Sequence, residues 1–184
     1  VQIASIIQEA KWKYVRKGFF RPRDFFMSRT DFVGSLATRL SAIANFFLGL
    51  SLVKIFMDLI MKIPFQSVFP SYESGTFDRK FHRLRRTQDR FASRVTYFHG
   101  CFVNYNNHRL GLDLITVLNA MNIGVDITDE KCCGVPLIAN GYLEKAKKNG
   151  VYNIGSLTKM HRANGGKIVS TSSSCSYALK HEYS

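Results

Sequence analysis

The chain has 184 residues, 46% hydrophobic and 13% aromatic, and a formal net charge of +13. That length allows one good-sized domain or two small ones, and the apolar share excludes a disordered polar chain. Residues 1–100 carry 17 Lys and Arg against 7 Asp and Glu, residues 101–184 carry 9 against 6, and all four cysteines lie in the second part. Such a basic excess points to an anionic partner: membrane lipid, an acidic protein surface or nucleic acid.

Residues 1–17 fit a basic amphipathic helix with Ile3, Ile6 and Ile7 on one face. The first residue is not Met and the start is already helical, so the sequence reads as an internal piece. No segment reads as a secretory signal, so a reducing cytoplasm and free thiols are expected. Arg21-Pro22-Arg23 interrupts the helical pattern, and Thr30-Asp31 offers an N-cap for a long apolar run. Its polar positions, Asp31, Ser35, Thr38, Asn45 and Gly49, form one narrow stripe. Those that follow, Ser51, Lys54, Asp58 and Lys62, form a stripe on nearly the opposite side, which predicts a break around Gly49-Leu50-Ser51. Leu40 to Val53 is free of charge but shorter than the roughly 20 residues that span a bilayer. The run is either a pair of core helices or an interfacial or partner-binding pair with very wide apolar faces.

Pro64 and Pro70 close this region, and residues 70–80 read as a connecting loop. Residues 79–94 hold seven Lys or Arg interleaved with Phe81, Leu84 and Phe91. This is a solvated helix face or a surface for anionic lipid or an acidic subunit. No nucleic-acid-binding signature accompanies the charge, so nucleic acid is not expected as a partner.

The pattern then changes. Strands are predicted at 95–98, 123–127 and 167–170, and helices at 109–121, 142–148 and 154–163, with a further helix starting in 176–183. Strand alternating with helix implies a parallel sheet. The fold class is therefore α/β: a helical, basic region over 1–94, then a small parallel-sheet cysteine-rich domain over 95–184.

The cysteines follow the strands. Cys101 and Cys175 come directly after the first and third, and Cys132-Cys133 a few residues after the second. The carboxyl ends of parallel strands share one edge, so three loops would bring four thiols together there. Cys101 and Cys175 would lie near helix N-termini, which favour thiolates, and Gly100 and Gly134 would let the backbone approach a bulky ligand. The alternative is four apolar, buried cysteines. Zinc sites usually show Cys-x-x-Cys, which is absent, while vicinal cysteines suit a multinuclear iron–sulfur centre. His99, His108 and His161 are not expected to be ligands.

Gly100-Cys101-Phe102, Cys132-Cys133-Gly134-Val135-Pro136 and Ser173-Ser174-Cys175 together resemble the CCG cysteine-rich domain. That domain occurs in the B subunit of heterodisulfide reductase, in glycolate and lactate oxidation iron–sulfur proteins, and in the C subunit of anaerobic glycerol-3-phosphate dehydrogenase. Residues 94–106, Gly134 to Gly141 and Thr30-Asp31-Phe32-Val33-Gly34 most resemble the last of these families. The resemblance implies a non-catalytic electron-transfer subunit with an iron–sulfur cluster held by Cys101, Cys132, Cys133 and Cys175. Its partners would be flavin-containing dehydrogenase subunits that oxidise glycerol 3-phosphate, and it would pass their electrons toward quinone. It would help hold them, peripherally, at the cytoplasmic face of the bacterial inner membrane. The alternative is a structural or membrane-anchoring segment whose domain binds zinc or no metal. Two departures stand out: neither the family's ferredoxin-like region nor its second CCG copy is present in this sequence, and Ser172 occupies the first position of the family's final Cys-x-x-Cys.

Overall fold

The computed structural model describes residues 3–183. Six helices come first: α1 (Ile3–Arg16), α2 (Pro22–Ser28), α3 (Thr30–Arg39), α4 (Ser41–Gly49), α5 (Ser51–Met61) and α6 (Phe77–Gln88). The expected break is there: Leu50 is extended, and the helix ends at Gly49 and restarts at Ser51. A second break was not anticipated. Leu40 leaves the helical region and α4 turns 107° from α3. Pro22 begins α2 instead of merely interrupting α1, since proline at the first helical position gives up no hydrogen bond. Thr30-Asp31 does not cap α3 as predicted. Arg29 is the N-cap, no side chain caps the end, and both residues lie in the first turn.

The second half alternates as predicted: β1 (Ser93–Tyr97), α7 (Gly100–Tyr105), α8 (His108–Ala120), β2 (Ile123–Ile127), α9 (Val135–Ala139), α10 (Leu143–Asn164), β3 (Ile168–Val169) and α11 (Ser173–Tyr177), with a π-helical turn over Ala178–Glu182. The three strands form a parallel sheet in the order β2-β1-β3, with Tyr97 opposite both Ile127 and Val169. The fold is α/β. The two helices expected at 142–148 and 154–163 are one, α10, which runs through Gly150 and Gly155.

The core lies where α6, α7 and α8 meet the sheet. Phe77 and Phe81 of α6 are buried with Tyr97, Val103, Ile115 and Val125. Each such side chain contributes about 1.5–3 kcal/mol when withdrawn from water. The basic helix therefore serves two faces: its aromatic side completes the sheet's core, and its arginines remain outside. Across β1 and β2, Arg94 Nε and Nη2 donate to Asp126 at 2.8 and 2.5 Å. Helix α3 also packs on this unit, since a methyl group at Gly34 would collide with the Tyr105 ring of α7. By contrast, α4 and α5 fully bury no residue and expose Phe46, Phe47, Leu52, Ile55, Phe56 and Leu59. Among the described residues no single helix is long and apolar enough to cross a membrane, and only the bent α3–α4 pair has the required length and composition together.

Candidate metal centre

Each strand hands its cysteine to the same edge. After β1 the chain passes through Phe98 and His99, and Cys101 is the second residue of α7. After β2 the loop runs to Cys132-Cys133-Gly134 and into α9. After β3, Ser172 caps α11, and its Oγ accepts the Cys175 N–H at 3.4 Å. Two glycines make the approach possible. Gly100 has φ +72°, and a Cβ there would stand 2.8 Å from Cys175 Sγ, while Gly134 has φ +94°.

All four predicted cysteines line one pocket of about 390 Å³. They are free thiols, three of them buried and Cys101 half-buried. Their thiols lie side by side in a row, Cys101 next to Cys132, Cys132 next to Cys133, and Cys133 next to Cys175. Among the described residues, no three His, Cys, Asp or Glu side chains surround a point where a single ion would sit.

Negative charge in the row is favoured at alternate cysteines, Cys132 and Cys175. The Cys101 and Cys133 thiols, helped by Thr30 and the Gly134 N–H, pull the Cys132 thiol down to about 3 against the cost of burial. Donating to Cys132 pushes Cys101 and Cys133 up. Cys175 is lowered by Cys133 and then by Ser172. The thiolate is the form that ligates metal.

The vicinal pair is pinned by residues that sequence reasoning missed. Asp31 Oδ2, from α3, accepts the Cys132 N–H at 2.7 Å. Asn149 Nδ2 donates to Cys132 O at 3.1 Å, and Tyr183 Oη donates to Cys133 O at 3.2 Å. The fully buried Asn153 bonds both the N–H and the C=O of Lys131, at 2.7 and 3.0 Å, and donates to Tyr183 Oη at 2.8 Å. Glu130 Oε1 accepts the Gly100 N–H at 2.6 Å and so ties the first cysteine loop to the second. The one available signal was Thr30-Asp31, a segment already singled out in the first half.

His99 lines the pocket, but its ring is occupied. Nε2 meets Asp78 Oδ1 at 2.8 Å, and Nδ1 lies 3.2 Å from Glu130 Oε1. Burial opposes its charge, yet Glu130 and Asp78 raise it to about 9, while burial raises Glu130 to about 8. His108 bonds Asn104 O, and His161 bonds Gly166 O.

Residues 95–180 match the family described as the CCG cysteine-rich domain. That match takes in nearly all of the second half of the chain. The comparison extends beyond the CCG domain: the whole chain is 43% identical, over 186 residues, to the C subunit of anaerobic glycerol-3-phosphate dehydrogenase of Escherichia coli K12. It covers 46% of that protein, so the chain spans about half the length of the curated relatives it matches from end to end. An uncharacterized iron–sulfur protein of Methanococcus maripaludis is 31% identical over 91 residues, 49% of this chain and 18% of that one. The B subunit of the CoM/CoB fumarate reductase of Methanothermobacter marburgensis is 39% identical over 54 residues, 29% of this chain and 11% of that one. No solved structure matches the chain.

The residues of the CCG domain fit an iron–sulfur group by chemistry and placement. Four free thiols from three strand-end loops line one pocket, the number and type of ligand that such a group takes.

Proposed function

We propose that this chain is the central part of an iron–sulfur electron-transfer subunit, with Cys101, Cys132, Cys133 and Cys175 as the ligands of its CCG domain. The observation that carries this reading is the meeting of four thiols from three strand-end loops in one pocket. A cluster bound there would supply one-electron uptake and release at a potential set by its surroundings. The chain's own residues do the rest. Asp31, Asn149 and Tyr183 hold the Cys132-Cys133 backbone, Ser172 orients Cys175, and Phe98 and Leu157 pack beside the thiols. Low polarity around the thiols and hydrogen bonds to sulfur are the levers by which such a shell tunes potential.

The reading extends to partners by similarity to the Escherichia coli protein. Flavin-containing dehydrogenase subunits would deliver electrons from glycerol 3-phosphate, and quinone would receive them. The exposed apolar faces of α4 and α5, flanked by Arg39, Lys54 and Lys62, support a peripheral position on the cytoplasmic face of the bacterial inner membrane.

Cys132→Ser in the intact, assembled complex tests the electron path. Transfer to quinone should fall at least tenfold, while oxidation of glycerol 3-phosphate with an artificial acceptor on the partner subunits continues (roughly a loss of more than 1.4 kcal/mol in the first and none in the second). Equal loss of both activities, or of neither, would contradict it.

A further inference from the structure

Helix α3 belongs to the first half of the chain, yet its first two residues reach into the cysteine site. Asp31 and Cys132 are separated by 101 positions and joined by a 2.7 Å hydrogen bond from the Cys132 amide. Next to it, the Thr30 hydroxyl is buried and makes no well-aligned hydrogen bond among the described residues. It stands beside the sulfurs of both Cys101 and Cys132.

Neither side chain is needed to build α3. Arg29, not Thr30, is the N-cap, and no side chain caps the helix. The helix is seated further along, where Gly34 lies against the Tyr105 ring and the Gly75 N–H donates to Thr38 O at 3.3 Å. A buried hydroxyl without a regular partner costs free energy, so valine at position 30 should leave the fold as stable or more so. What the hydroxyl offers instead is an O–H that can turn toward a sulfur carrying negative charge.

We propose that Thr30 and Asp31 are positioning residues of the cysteine site, Asp31 fixing the Cys132 amide and Thr30 donating its hydroxyl proton to the sulfur of Cys132 or Cys101. This rests on the iron–sulfur reading above. Hydrogen bonds to ligand sulfur stabilise the reduced, more negative state and raise its potential. The first half of the chain would therefore set the potential of a centre whose ligands all lie in the second.

The test uses the intact protein, purified without oxygen, with iron and sulfide content, redox titration and amide hydrogen exchange as readouts. Thr30→Val should keep the wild-type iron and thermal stability but shift the midpoint potential to a more negative value. Thr30→Ser should restore it. Asp31→Ala should speed exchange of the Cys132 amide by roughly tenfold, and Asp31→Asn, which keeps an acceptor, by less. An unchanged potential in Thr30→Val with normal iron would overturn the role of Thr30 and leave the iron–sulfur reading standing. Unchanged exchange in Asp31→Ala would overturn that of Asp31. Wild-type protein without iron and sulfide would sink the reading and Thr30's role with it, while the exchange experiment would still decide the role of Asp31.

Discussion

Gly100 and Cys175 meet backbone to sulfur across the carboxyl edge of the sheet, although 75 positions separate them along the chain. The contact requires glycine twice over. At φ +72° a side chain is strained, and a Cβ would stand 2.8 Å from Cys175 Sγ. Gly100→Ala should destabilise the protein by about 1–2 kcal/mol from the backbone alone, and the displaced Cys175 should lower metal retention as well. Thermal melts with iron analysis check both. Wild-type values in both would show that the approach is not tight.

Asn153 gives a second prediction. It is fully buried and holds both backbone groups of Lys131, the residue before the vicinal cysteines. Asn153→Ala strands an N–H and a C=O, at a cost of about 1–3 kcal/mol each. A melting temperature lower by about 4–24 °C is expected, from about 2–6 kcal/mol in all. A fall below about 2 °C would mean that the loop does not depend on this anchor.

The same residue shows how far the sequence could be read. Strand 123–127 was legible to the residue, because a short β-prone run bounded by turn residues leaves little choice. The four cysteines were legible as one site, because parallel topology forces strand ends together. Helix α10 was not legible as one helix. Asn149-Gly150 looks like a stop, but Gly150 packs against the Tyr183 ring and Asn153 spends its side chain on Lys131, so tertiary contacts outweigh propensity. The anchors Asp31, Glu130 and Tyr183 act across long stretches of chain, and no local pattern reveals such partners.

The buried His99–Glu130 pair predicts the pH response of the metal-free protein. His99 is raised from 6.5 to about 9, so its stabilising contribution is complete below pH 6.5 and lost as pH rises through 9. Glu130 is raised from 4.5 to about 8, so its penalty is absent below pH 4.5 and complete above 8. In both cases the folded state binds protons more tightly, and the two effects share a sign. The melting temperature should fall between pH 6 and 9, and Glu130→Gln should flatten that fall. A melting temperature that is constant or rises over this range would refute the pairing.

Helices α4 and α5 carry a fourth prediction. Phe56→Asp and Leu52→Asp place charge on faces that are exposed already, so stability should change by less than about 0.5 kcal/mol. Flotation of the intact protein with anionic vesicles should drop severalfold. Unaltered flotation would move the membrane contact elsewhere or remove it.

Metal analysis decides whether the four thiols of the CCG domain hold an iron–sulfur centre. Iron, acid-labile sulfide and zinc should be measured on the intact protein, purified anaerobically, beside a variant with Cys101, Cys132, Cys133 and Cys175 all replaced by serine. Iron and sulfide are expected in the wild type beyond what the variant retains, with a matching loss of visible absorption. Equal iron and sulfide in the two proteins, or zinc in place of iron as the metal lost, would contradict it.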